Sequence, residues 1–238
     1  MTITSPTNQH LTEIRKLGRA SARARSGRFV AEGEDFYEAA DAAGRVAHYV
    51  LCPAGDARAP REGWLEVEPS LLAGVSSLAQ GSRVVGVFEQ RWGEPVGPRA
   101  IALWGVHDPG NVGTVIRAAH AFGASSVALG PGCADPHGTK AVRASMGAIF
   151  ATRLARVASV GELPGAVVGL DARAARPLRD PLPEAFTLLL GGERAGLPAD
   201  VASQCHELRS IPQLAGDSLN VAMAATVALY EAARMADR

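Results

Sequence analysis

Apolar residues fall in short runs separated by amphipathic stretches, and this alternation predicts the elements before any residue is given a role. Runs at 101–106, 126–130, 167–171, 186–191 and 207–211 have the length and composition of strands. Helical periodicity lies between and after them: over 112–122, near 140–146, briefly after Pro198, and over 218–236. Strands alternating with helices predict a mostly parallel sheet covered on both faces. Ligands in such folds sit beyond the carboxyl ends of the strands. The N-terminal part predicts a basic helical stretch over 10–30, a helix over 35–43 and strands at 47–52 and 83–89, a small α/β module. Residues 90–99 mix two Gly and two Pro between strand-like runs and read as a linker, dividing the chain into 1–97 and 98–238.

Composition and charge narrow this picture. With 238 residues, 47% of them hydrophobic and 20% charged, the chain has the makings of a folded globular protein. Lys and Arg (24) balance Asp and Glu (24), which excludes a uniformly basic nucleic-acid binder but not a local basic patch. One such patch stands out. Arg15, Lys16, Arg19, Arg23, Arg25 and Arg28 face a single acid, Glu13, within residues 10–30. The run reads either as a solvated helix face or as a contact for a phosphate backbone. No run approaches the roughly 20 apolar residues of a membrane-spanning helix, and the polar first ten residues lack the apolar core of a signal peptide. Three widely spaced cysteines, with no CxxC pair, fit a reduced, cytoplasmic protein. The six histidines show no metal-ligand spacing, so no metal is expected. Gly130-Pro131-Gly132 follows a strand but lacks the third glycine of a dinucleotide turn, and no GxSxG nucleophile elbow occurs.

Three segments hold residues that secondary structure leaves unexplained. In the first, from Asp108 to Gly123, Asp-Pro-Gly is turn chemistry. Asn111 reads as a helix N-cap, Gly123 as a C-terminal cap, and Val112, Val115, Ile116, Ala119 and Phe122 as one apolar stripe. Gly113, Arg117 and Ala121, four apart, remain. A glycine in the first turn costs about 1 kcal/mol relative to alanine. Arg117 alone reads as a surface arginine, but the small-residue row beside it suggests a ligand or subunit that approaches closely. In the second segment, an apolar strand runs directly into Gly191-Gly192-Glu193 and then Gly196-Leu197. The bland reading is a strand-to-helix turn; the sharper one is backbone exposed to a ligand at the strand end. In the third, Ile211-Pro212 precedes Asp217-Ser218-Leu219-Asn220 and a helix whose first three turns are apolar or small on nearly every face. Asp217 or Ser218 is expected to cap it. Asn220 is a polar group at a buried helix start and needs a partner, within the fold or beyond it.

Together these segments resemble the SpoU (TrmH-like) family of S-adenosylmethionine-dependent RNA ribose 2′-O-methyltransferases, within the SPOUT superfamily. The resemblance rests on Asn111-x-Gly113-x-x-x-Arg117, on Gly191-Gly192-Glu193 with Gly196-Leu197, and on Ile211-Pro212 with Ser218-Leu219-Asn220-Val221, in the family's order. It covers roughly residues 99–236. Val142-Arg143-Ala144-Ser145-Met146-Gly147-Ala148 is similar to a segment the family carries between the first two motifs. More weakly, Phe29-Val30-Ala31-Glu32-Gly33 and the helix after it resemble the family's N-terminal RNA-binding domain, itself like ribosomal protein L30e. Gln213 stands where the family commonly has Met, and Asp217 where it commonly has Glu; neither is expected to touch the chemistry.

The resemblance implies an α/β parallel-sheet catalytic domain over 98–238 with a C-terminal trefoil knot, preceded by a small L30e-like domain, and a homodimer formed through the C-terminal domain. It implies that Leu190, Gly191, Gly192, Gly196, Ile211, Pro212, Leu219 and Asn220 hold S-adenosylmethionine, and that Arg117, Asn111, Glu193, Ser218 and Asn220 form the catalytic cluster. Arg117 would lie nearest the ribose hydroxyl. A guanidinium only donates hydrogen bonds, so positioning the nucleotide suits it better than accepting a proton. The basic run from Arg15 to Arg28 would meet structured RNA, with ribosomal RNA, above all 23S, favoured over transfer RNA. A transfer-RNA enzyme, an antibiotic-resistance rRNA methyltransferase and a non-catalytic RNA-binding member remain open.

Overall fold

The computed structural model describes residues 2–56, 63–77, 84–193, 195–215 and 219–236. In chain order the elements begin with helices α1 (Gln9–Leu17) and α2 (Ala20–Ser26), strand β1 (Arg28–Glu32), α3 (Glu34–Ala42), β2 (Ala47–Pro53), β3 (Leu65–Val67), α4 (Pro69–Ala73) and β4 (Val85–Glu89). There follow β5 (Arg99–Trp104), α5 (Pro109–Ala121), β6 (Ser126–Leu129), α6 (Thr139–Ser145), α7 (Ala148–Ala151), β7 (Leu154–Arg156), β8 (Ala166–Leu170), β9 (Phe186–Gly191), α8 (Ala199–Ala202), β10 (Glu207–Arg209) and α9 (Val221–Ala236).

The chain forms two compact units. One comprises residues 1–90 together with 135–151; the other comprises 91–134 and 152–238. The segment carrying α6 and α7 therefore packs with the N-terminal residues, an arrangement that a single cut of the sequence near residue 98 does not express.

In the first unit a four-stranded sheet runs β1-β4-β2-β3, antiparallel except for the β2–β3 pair. Leu11, Ile14 and Leu17 recur on one face of α1 and pack into a core with Val30, Leu51, Val67, Val85 and Val87. Phe150 of α7 stacks against Phe29 of β1 and Phe88 of β4, with centroids 5.8 and 4.7 Å away. Large aromatic area of this kind is what binds residues 135–151 to the unit.

The basic run divides in this setting. Arg15, Lys16, Arg19 and Arg25 are exposed. Arg28 pairs with Glu13 at 2.9 Å. Arg23 is only 6% exposed. Its guanidinium meets the Asp135 carboxylate at 2.8 Å and donates to the carbonyls of Leu17 and Gly18, which closes the end of α1. Arg23 is thus an internal strut rather than a surface cation, a correction to its place among RNA contacts. Charge periodicity could not show this, because the partner lies 112 residues away. Replacing Arg23 with Ala is expected to cost about 3 kcal/mol, the lower end for a broken buried pair, because Asp135 keeps some solvent. Urea denaturation checks it.

In the second unit a six-stranded sheet runs β10-β8-β9-β5-β6-β7, and every neighbouring pair is parallel. All six residues of β9 are buried, the pattern of a strand inside a parallel sheet. Ala102, Ala128, Ala155, Val167 and Leu189 from five strands join Val160, Leu163 and Val201 in one core. The five strand runs read from the sequence all appear; β7, three residues long, is added at one edge. Strand order reverses between β5 and β9, with β6 and β7 on one side and β8 and β10 on the other. In parallel α/β sheets the crevice beyond such a reversal is where ligands bind.

Helix α5 follows β5 directly. Asp108, not Asn111, is its N-cap: the carboxylate accepts from the amides of Gly110 (2.6 Å) and Asn111 (3.2 Å). Pro109 occupies the first helical position, where its missing N–H costs nothing. Gly123 takes the left-handed conformation after the helix (φ 67°), as expected of a C-terminal glycine. Among the described residues, no helix is long and apolar enough to cross a membrane, and no group of three or more His, Cys, Asp or Glu could hold a metal ion.

Candidate active site

The carboxyl ends of β8 and β9, the turn after β9 and the start of α9 enclose a cavity of about 420 Å³. This lies within the range of roughly 300–1,000 Å³ usual for cofactor sites. Leu190, Gly191, Gly192, Gly196, Ile211 and Leu219, six of the eight residues that the resemblance assigns to the cofactor, line it. Pro212 and Asn220 are not among the lining residues.

The glycines are required by packing. A Cβ on Gly191 would overlap the backbone of Gly196 and Leu197, and one on Gly192 would stand 2.5 Å from the carbonyl oxygen of Gly105. The turn doubles back on the strand that precedes it, and the Gly196 amide donates to the Gly192 carbonyl at 2.9 Å. Gly196 is left-handed (φ 62°), a conformation that glycine enters without strain.

Capping of α5 by Asp108 leaves the Asn111 side chain available, and it reaches across to the turn after β9. Its Nδ2 donates to the Glu193 carboxylate, and its Oδ1 accepts from Asn220 Nδ2 at 3.2 Å. Asn220 Oδ1 in turn accepts from the amides of Ala222 and Met223 and caps α9. Thus α9 starts at Val221, and its cap is Asn220 rather than Asp217 or Ser218; those two residues lie outside the described residues. Three motifs far apart in sequence meet in one directed chain, from the α9 amides through Asn220 and Asn111 to Glu193. Each amide is oriented by a bond at its other end, so the carboxylate is held beside the cavity by this chain of hydrogen bonds.

Arg117 does not join this cluster. It is exposed on α5, and it is not among the residues lining the cavity. Gly113 is buried, while Arg117 and Ala121 are exposed, so the row of three does not present one open face.

Other residues of the cavity wall were not singled out in the sequence. Leu170, Asp171, Ala172 and Arg173 lie at and beyond the end of β8, and Ala224 comes from α9. The first four stand at the carboxyl end of a strand next to β9, so position in a parallel sheet was the signal that could have found them. Gln213 also lines the cavity, so this departure from the family pattern does lie at the site.

Comparison with known proteins agrees with this geometry. The model of the SpoU rRNA methylase family matches residues 98–230. The chain is 28% identical over 242 residues to a 23S rRNA (guanosine(2553)-2'-O)-methyltransferase, RlmP, of Bacillus subtilis, covering 96% of this chain and 97% of that protein. It is 36% identical over 140 residues to a 23S rRNA (uridine(2479)-2'-O)-methyltransferase of Streptomyces viridochromogenes. That match takes in 53% of this chain and spans about half of the relative's length, 49%. The crystal structure of an AdoMet-bound rRNA methyltransferase from Sinorhizobium meliloti superposes with a TM-score of 0.86 at 33% identity, covering 98% of this chain and 97% of that one. With the three motifs gathered at the reversal of a parallel sheet and the family model covering more than half its length, the chain belongs to the SpoU rRNA methylase family.

Proposed function

We propose that the protein methylates a ribose 2′-hydroxyl in structured RNA, with 23S ribosomal RNA as the favoured substrate and S-adenosylmethionine as the methyl donor. The observation that carries this reading is the cavity bordered by the oriented chain Asn220–Asn111–Glu193. Two of the relatives named above act on 23S rRNA ribose, and the Sinorhizobium structure holds AdoMet.

The cavity suits such a donor. Leu190, Leu197, Ile211 and Leu219 offer apolar walls to a flat base, and glycine backbone lets a ligand approach closely. Asp171 and Glu193 place carboxylates where ribose hydroxyls or a cationic centre can be met. S-adenosylmethionine, when bound, supplies a methyl group on a positively charged sulfur that leaves as a neutral thioether. The chain's residues have to align the acceptor and assist loss of its proton. Asn220 and Asn111 hold Glu193 in one orientation, and Glu193 has a second oxygen with which to accept a ribose hydroxyl. Ser218, the other polar residue of the third motif, is assigned to the catalytic set from the motif alone, since it lies outside the described residues. Arg117 positions the nucleotide through its phosphate.

A homodimer completes the site. Met223, Val227 and Tyr230 recur at helical spacing on α9 and are 64%, 43% and 54% exposed, an apolar stripe unusual for a solvated helix. Tyr230 packs edge-on against Phe122, just beyond α5. A second copy seated on this stripe would bring Arg117 of one subunit toward the other's cavity. Membership of the family supports a trefoil knot in this domain. The four-stranded N-terminal sheet and the exposed Arg15, Lys16, Arg19 and Arg25 support an L30e-like RNA-recognition module, and a ribosomal RNA substrate supports a cytoplasmic location.

Incubation with methyl-labelled S-adenosylmethionine and unmodified 23S, small-subunit and transfer RNA tests the reading. Label is expected in 23S RNA at a single 2′-O-methyl position. Label on a base, or none in any RNA, would overturn it.

A further inference from the structure

Met146 follows α6 in the left-handed region (φ 48°, ψ 47°), the only non-glycine residue with positive φ among the described residues. Helices commonly end this way, but with Gly or Asn, because a Cβ makes the conformation costly. The position cannot relax. The Met146 amide donates to the Arg143 carbonyl at 3.1 Å, and that of Phe150 to the Gly147 carbonyl at 3.1 Å. Gly147 (φ 84°) is wedged so that a Cβ would stand 2.5 Å from that of Ala39. Beyond it, Ala148, Ile149 and Phe150 are buried.

The strain brings no packing in return, since Met146 is 58% exposed. A strained, rigidly held and exposed apolar side chain points to a function outside the fold. The charges nearby indicate its partner. Arg143 and Lys140, three and six residues earlier, are exposed, while Ala141, Val142 and Ser145 face inward. Residues 139–147 contain no acid, while α3, whose Ala39 meets Gly147, carries the exposed Asp35 and Glu38. Arg143 beside a flexible thioether suits a single phosphate that flanks an accessible aromatic face.

We propose that Met146 and Arg143 form a contact for an unpaired stretch of the RNA substrate, the Met146 thioether lying on the face of a base and Arg143 meeting a flanking phosphate. RNA is recognised chiefly through such unstacked bases, and sulfur on an aromatic face is favourable. This rests on the RNA methyltransferase reading above.

The test measures Tm, binding to unmodified 23S rRNA transcript and methylation for wild type and variants. Met146→Gly and Met146→Asn relieve the left-handed strain, so Tm should equal or exceed that of wild type by up to about 4 °C. Affinity for the transcript should fall roughly 2- to 10-fold. Met146→Leu keeps the apolar contact and should bind within about twofold of wild type. Arg143→Ala should lower the slope of log affinity against log salt by about 1. Wild type that methylates the transcript, beside Met146→Gly with unaltered RNA affinity, overturns this contact alone. A changed sedimentation coefficient in Met146→Gly with unaltered RNA affinity overturns it in favour of a protein partner. Wild type that neither binds nor methylates RNA overturns the reading on which it rests.

Discussion

Arg117→Ala is expected to lower methyl transfer by about 10³-fold or more while S-adenosylmethionine binds within about twofold of wild type. The two effects separate because Arg117 stands apart from the cavity wall, exposed on α5. Its loss removes no cavity lining and no core packing, so Tm should move by less than about 2 °C. What is lost is a planar cation able to hold a phosphate by two parallel hydrogen bonds. Arg117→Lys should therefore recover only a small part of the activity, since a point charge cannot reproduce the fork. Single-turnover methylation and calorimetry with the cofactor make the comparison. Turnover like that of wild type in Arg117→Ala would show that the exposed arginine plays no part in catalysis. A dimer implies a further result: a cavity-blocked subunit mixed with an Arg117→Ala subunit should regain activity.

The parallel sheet was legible because each of its long strands is a continuous apolar run, the mark of a strand buried on both faces. Strands β3 and β7, three residues each, were not, because neither lies in a longer apolar run. The motifs marked the site, but the sequence misplaced two of its caps. Asp108 before Pro109 carried the usual signal of a helix start, and reading it would have left Asn111 for the cluster. Asn220 both caps α9 and bonds to Asn111, whereas the sequence suggested Asp217 or Ser218 as the cap and, for Asn220, only a partner within the fold or beyond it. Helical spacing shows which residues share a face and nothing about which element that face meets. For this reason the sequence shows α6 as a helix but not as part of the N-terminal unit, and it cannot separate Arg23, paired with Asp135, from the exposed cations beside it. The wall at 170–173 has ordinary loop composition, and only its place beside β9 gives it a role.

Gly191 shows most directly how packing decides what a motif residue does, and its replacement should have the second large effect. The sequence allows two explanations for a glycine there, an unusual backbone angle or close approach. The angle is ordinary, since Gly191 is not among the residues with positive φ. Close approach is the cause: a Cβ would enter the backbone of Gly196 and Leu197, which cannot rotate aside as a side chain could. In Gly191→Ala the 192–196 turn must move away from β9. Both of its ends line the cavity, and Glu193 lies within it. A displacement near 1 Å in such a turn should weaken S-adenosylmethionine binding about 10²-fold and lower methylation at least as much. Overpacking should also cost about 1–3 kcal/mol of stability. Gly196→Ala is the control. Its φ of 62° imposes strain of about 1 kcal/mol, but a Cβ there meets no atom within 4 Å, so cofactor affinity should fall only a few-fold. Calorimetry beside thermal denaturation distinguishes the two. If Gly191→Ala bound the cofactor as tightly as wild type, the cavity at the end of β9 would not be the cofactor site, and the glycines of the second motif would serve only to pack the turn.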